Sequence, residues 1–142
     1  MKRLKFISIV ALLLSILVIS CKKEDNSTPS KTNVPTILTQ GNWRITLYND
    51  SGADELYHFS GYTFTFSNGI VTAVKNGNSV IGSYSTVIDD SKNKMLLNFG
   101  NTVPFDELND DWHIVEETSN KIRLQDVSGG SGETDLLTFE RN

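Results

Sequence analysis

Few residues in this chain of 142 have the type or spacing to do chemistry. Cys21 is the single cysteine, so neither an internal disulfide nor a cysteine-based metal cluster can form. Histidine occurs at His58 and His113, without H-x-H or H-E-x-x-H spacing, a poor basis for a metal site. His113 falls on the opposite parity to Trp112 and Ile114 and is expected at the solvent. Acidic residues gather in turns at Asp50/Asp54/Glu55, Asp89/Asp90 and Asp106/Glu107/Asp110/Asp111. Loop carboxylates are hard oxygen ligands suited to calcium. None of these groups follows D-x-[DN]-x-[DN]-G, and acidic turns also serve simply to keep a domain soluble. There is no G-x-S-x-G, no nucleophile–base pair and no glycine-rich phosphate loop. The expectation is a protein that is not an enzyme, with no cofactor and no metal.

The other candidates are aromatic. Trp43, Tyr62, Phe64, Phe66, Tyr84, Phe99 and Trp112 fall on the apolar side of alternating stretches. Two readings are open: Trp43, Tyr62, Phe64, Tyr84, Phe99 and Trp112 line a site for a small hydrophobic ligand, or these large rings fill a small barrel.

Strands must position them. In Gly41-Asn42-Trp43-Arg44-Ile45-Thr46-Leu47-Tyr48, the alternation puts Trp43, Ile45 and Leu47 on one face and Arg44, Thr46 and Tyr48 on the other. Residues 62–66 alternate strictly with three aromatics on one face, and Asn68-Gly69 and Asn76-Gly77 are hairpin signals on either side of a short strand. Residues 80–88 and 94–99 follow, joined by the polar turn Asp89-Asp90-Ser91-Lys92, with Met95, Leu97 and Phe99 sharing a face. Val103-Pro104-Phe105-Asp106-Glu107-Leu108 reads as the one helical turn, with proline to open it and acidic residues in its first turn. Three closing strands present Trp112 and Ile114, Ile122 and Leu124, and Leu137 and Phe139 inward, with a loose Gly129-Gly130-Ser131-Gly132 loop before the last. About eight hairpin-linked strands predict an all-β fold, a single antiparallel up-and-down barrel whose closure removes its edges.

The ends of the chain differ in chemistry. Lys2, Arg3 and Lys5 precede an apolar run over residues 6–20 that is short for a membrane span and reads as a secretory signal peptide; the alternative is an uncleaved anchor. Val18-Ile19-Ser20-Cys21 resembles the lipobox of bacterial lipoproteins. That resemblance implies acylation of Cys21, cleavage before it and anchoring to a membrane; more than one acyl chain makes such an anchor durable. Lys22-Lys23-Glu24-Asp25 resembles the surface-export signal of Bacteroidota lipoproteins, which implies an outer-membrane protein, at the cell surface or facing the periplasm. Residues 26–36 have no apolar periodicity and read as a tether. The expected organisation is signal peptide 1–20, tether 21–36 and barrel 37–142. Cleavage removes three of the 13 basic residues and leaves ten against 17 acidic, a net charge near −7 that disfavours nucleic acid as a partner.

Gly41-Asn42-Trp43 opening the first strand, Gly82-Ser83-Tyr84, the Trp112 strand after a short helical turn and a final strand ending in Arg141 resemble the lipocalin-like lipoproteins of Bacteroidota. The resemblance implies a barrel over residues 37–142, with Arg141 set against the first-strand tryptophan, and a small hydrophobic ligand inside. The alternative partner is a protein of a cell-envelope assembly, met by the outer surface of a filled barrel.

Overall fold

The computed structural model describes residues 31–127 and 132–142. Cys21, the signal peptide, most of the tether and most of the glycine loop at 129–132 lie outside the described residues. The elements run α1 (Val34–Leu38), β1 (Trp43–Asp50), β2 (Ala53–Asp54), a 3-10 turn (Leu56–His58), β3 (Thr63–Ser67), β4 (Ile70–Lys75), β5 (Asn78–Asp89), β6 (Lys92–Asn98), a 3-10 turn (Phe105–Leu108), β7 (Asp110–Glu117), β8 (Lys121–Val127) and β9 (Thr134–Arg141). Eight strands, β1 and β3 to β9, form a closed antiparallel barrel; β2 is an extra two-residue strand on β1. Among the described residues no helix is long and apolar enough to cross a membrane.

Tight turns set the register. Asn68-Gly69 and Asn76-Gly77 both have positive φ at each position, the backbone that two-residue hairpins between right-twisted strands require. Asp90-Ser91 adopts the same conformation without a glycine, and Ser51-Gly52 makes a further hairpin, between β1 and β2. Gly82 meets a different need: a Cβ there would lie 2.6 Å from Phe99 Cδ1 and 2.7 Å from the Asn98 carbonyl oxygen, so β5 packs against Phe99 only without a side chain.

The residues expected to face inward along β3, β6, β8 and β9, Phe64, Phe66, Met95, Leu97, Ile122, Leu124, Leu137 and Phe139, are all buried, as are Val71 and Ala73 of β4; Lys94 and Thr138 are buried as well, from the other parity. It fails in β1. The register to β9 slips between Ile45 and Leu47, a bulge that inserts one residue and reverses the parity. Leu47, expected inside, is 36% exposed, and Tyr48, expected outside, is 3% exposed. A second slip in β7, between Ile114 and Glu116, leaves Val115 exposed.

The expectation of one helical turn also needs correction, because short helical pieces close both mouths. Residues 103–108 do form one, a 3-10 turn with Phe105 and Leu108 buried. The turn Leu56–His58 is a second, followed directly by buried Phe59. At the opposite mouth α1, with Pro35 in its first turn, buries Val34 and Leu38. The packed domain therefore begins a few residues before position 37, inside the stretch read as tether. Thr32 Oγ1 donates to Glu117 Oε2, and Asn33 N–H reaches Glu117 Oε1 at 3.4 Å, fixing the entry of the chain against β7.

Candidate functional site

Of the six aromatics proposed to line a ligand site, five belong to the interior and Tyr62 stands at its edge. Trp43, Phe64, Tyr84, Phe99 and Trp112 are buried, and Tyr62 is half-buried against the core. Tyr62, Phe64 and Phe99 come together around Phe105, with ring centroids 5.0, 6.3 and 5.1 Å from it. Phe64 and Phe66 both pack on Phe139, at 5.4 and 5.5 Å, and Phe66 also meets Tyr84 at 5.1 Å. Most of these contacts are edge-on, the arrangement ring quadrupoles favour. Trp43 and Trp112 are not brought together: they sit at opposite mouths. Phe59 and Phe105 complete the aromatic set, and only the closure of the mouth by the 3-10 turns brings them in.

Both tryptophans hold a cap. Trp43 Nε1–H donates to the Leu38 carbonyl at 2.9 Å, and Trp112 Nε1–H donates to the Leu108 carbonyl at 3.0 Å. Each satisfies a carbonyl that the end of a short helix leaves without an intrahelical donor. A second side chain takes the preceding carbonyl in each cap: Arg141 donates to Ile37 O at 3.3 Å, and Tyr48 O–H to Glu107 O at 3.0 Å. The Arg141 guanidinium also lies 5.3 Å from the Trp43 ring centroid, which is where the resemblance placed it. Burial pushes the Tyr48 hydroxyl well above the usual tyrosine range, and the nearby carboxylates of Asp50 and Glu107 add to the effect, so it is a donor at any physiological pH.

His58 has a structural place that its sequence context did not reveal. Its Nδ1 lies 2.7 Å from Glu107 Oε2 and its Nε2 3.8 Å from Glu55 Oε2, so it links the two 3-10 turns at one mouth. His113 is half-buried on the outer face, opposite Lys94 and Gln125.

The acidic turn near residue 110 gains a member from β8: Asp110, Asp111 and Asp126 can bring one carboxylate oxygen each within 4.8 Å of the others. Asp111 is already engaged by Lys94 Nζ at 2.7 Å, and Lys94 also holds Asp89 at 3.0 Å. The Lys94 hydrogen bond holds the Asp111 carboxyl below the usual carboxylate range, and bonds to Asp111 and Asp89 raise the Lys94 ammonium above the lysine range. Burial raises Asp110, with Asp126 and Asp111 repelling its charge. The group reads as ion pairing on an outer wall.

Cavities occur on the outside. One of about 220 Å³ lies beside Lys31, Thr32, Val87 and Ile88 at the α1 mouth, and one of about 240 Å³ lies over Ser83, Ser85 and Leu96. A third, of about 260 Å³, opens between β1 and β3 beside Arg44, Ile45, Leu56, Ser60, Tyr62 and Thr63. It exists because β1 and β3 pair only at Trp43 and Phe64, whereas the other neighbouring barrel strands share longer ladders.

Together these features define a small antiparallel barrel with an aromatic interior and both mouths capped. No protein-family profile matches the chain, and no curated protein does. Among solved structures it is similar to a DUF4847 family protein from Bacteroides vulgatus ATCC 8482, at 16% identity and a TM-score of 0.50, over 77% of this chain and 97% of that one. An uncharacterized protein from Bacteroides eggerthii DSM 20697 is similar at 15% identity and a TM-score of 0.39, over 72% of this chain and 98% of that one. The first likeness agrees with the barrel, and at such identity it speaks for the fold alone.

Proposed function

We propose that this chain is an exported outer-membrane lipoprotein, anchored through acylated Cys21, whose barrel acts through its outer surface as an accessory or interaction module of a cell-envelope assembly. The observation that favours this over a carrier is the interlocked interior: rings from the walls pack on Phe59 and Phe105 at one capped mouth, and α1 closes the other. A carrier would need one cap to leave, breaking either the Trp112 and Tyr48 bonds to the Phe105–Leu108 turn or the Trp43 and Arg141 bonds to α1. The reading assigns no catalytic step, and the chain carries 17 acidic residues against 13 basic ones.

Native mass spectrometry of the protein purified from its own host tests the point. The expected result is a bare protein mass, together with an envelope protein recovered in pull-downs from native membranes. A reproducible adduct of small-molecule mass, lost on denaturation, would instead make the barrel a carrier. The anchor has its own test: Cys21→Ser should move the protein from the membrane to the soluble fraction, and an uncleaved protein that stays membrane-bound would overturn it.

A further inference from the structure

The slot between β1 and β3 sets a guanidinium and a nearby lysine beside apolar side chains. Ile45, Leu56 and Tyr62 line it, together with Ser60, Thr63 and Asn142. Its surroundings are cationic. Arg44 lines it directly, and the Lys75 ammonium lies 5.1 Å from the Tyr62 ring centroid, bonded to the Ser60 carbonyl at 2.7 Å. In a domain where acidic residues well outnumber basic ones, two cations beside one cavity run against the prevailing charge. Glu140 lies 3.7 Å from Arg44 but is shared with Lys121 at 3.1 Å, and the Asn142 side chain accepts one Arg44 N–H at 3.2 Å. A guanidinium has five donors in a planar fork, so these contacts leave Arg44 able to take a further two-oxygen acceptor.

We infer that this slot binds a small amphipathic carboxylate, its apolar body against Ile45, Leu56 and Tyr62 and its carboxylate on Arg44. A planar fork lining the same cavity as apolar side chains matches one carboxylate on a short hydrocarbon better than it matches a neutral apolar molecule, which would leave the fork unused. The parted seam supplies the room, because the strands on either side of the slot are already held by β9 and β4 and no wall has to open. The inference rests on the reading that the protein works through its outside, with a filled interior.

Titration of the purified protein with octanoate, and with octan-1-ol as the neutral counterpart, followed by residue-resolved NMR, tests it. Saturable shifts with octanoate are expected at Ile45, Tyr62 and Thr63. Octan-1-ol should bind about tenfold more weakly, and Arg44→Gln should weaken octanoate by about the same factor. Arg44 is half-exposed, so the Arg44→Gln spectrum should otherwise match that of the parent and report that the fold is kept. Equal affinity for the alcohol, or no effect of Arg44→Gln, would overturn the carboxylate assignment. Absence of saturable shifts would overturn the slot alone and leave the filled-barrel reading standing. Shifts concentrated at Phe66, Tyr84 and Leu124 would overturn both, since the ligand would then lie inside.

Discussion

The two mouths of the barrel are closed by the same device built from different parts. At one, α1 offers the carbonyls of Leu38 and Ile37 to the Trp43 indole and the Arg141 guanidinium. At the other, the Phe105–Leu108 turn offers those of Leu108 and Glu107 to the Trp112 indole and the Tyr48 hydroxyl. In both, an indole near the start of a strand ties down the helical turn just before it, by taking the last carbonyl of that turn, which has no intrahelical donor. The caps differ in what they bury. α1 contributes two aliphatic side chains, Val34 and Leu38, whereas the second mouth contributes Phe59, Phe105 and Leu108 and is fastened further by His58 between Glu55 and Glu107. A cap can thus be held by polar bonds to its backbone or by rings below it, and the second mouth uses both.

Replacing the ring at the centre of the second cap should give the largest effect. Phe105→Ala removes a buried side chain that touches Phe59, Tyr62, Phe64 and Phe99, and should cost about 3–5 kcal/mol in urea unfolding. A loss under about 1 kcal/mol would mean that the cap is loosely seated and that the two mouths differ less than their packing implies. Next come the paired bonds. Trp43→Phe and Trp112→Phe each leave a helix-end carbonyl without its donor and trim a buried ring, for about 1–3 kcal/mol apiece. Because the caps stand at opposite mouths, the double variant should be additive to within about 0.5 kcal/mol. A larger coupling would show that closing one mouth helps to close the other.

The strands and their inward faces were legible because alternation and Asn-Gly turns are local signals. Phe64, Phe66, Met95, Leu97, Ile122, Leu124, Leu137 and Phe139 are buried as their parity implies. Tyr48 and Leu47 were misplaced because a bulge is set by the partner strand: nothing in β1 alone announces the slip opposite Phe139 and Thr138. The Phe105–Leu108 turn was legible from its proline and acidic residues, whereas α1 and the Leu56–His58 turn were not. A five-residue helix has too few turns to show a period, and Val34 was hidden in a stretch rich in Ser, Thr and Pro. The β1–β3 slot is equally invisible, since it comes from residues that fail to pair. Of the proposed site residues, the aromatics were placed on the correct face, but whether they line a space or fill it depends on Phe59 and Phe105, which the sequence reading left out of the set.

The smallest effect concerns the outer wall, where neighbouring aspartates are shifted in opposite directions. Asp111 is held low by Lys94, so its ionised form stabilises the fold at neutral pH, and that contribution disappears as pH falls through its depressed folded value. Asp110 is raised by burial, so its ionised form opposes folding, and the penalty is relieved as pH falls through its elevated folded value. Lys94 titrates far above this window and stays charged throughout. Thermal unfolding between about pH 3 and 7 should therefore separate two substitutions by sign and by range. Asp110→Asn should raise Tm at pH 7, with the gain fading early on acidification. Asp111→Asn should lower Tm at pH 7, with the loss persisting to more acidic pH before it closes. Matching signs would mean that burial at Asp110 and the Lys94 bond at Asp111 do not set the two carboxyls apart.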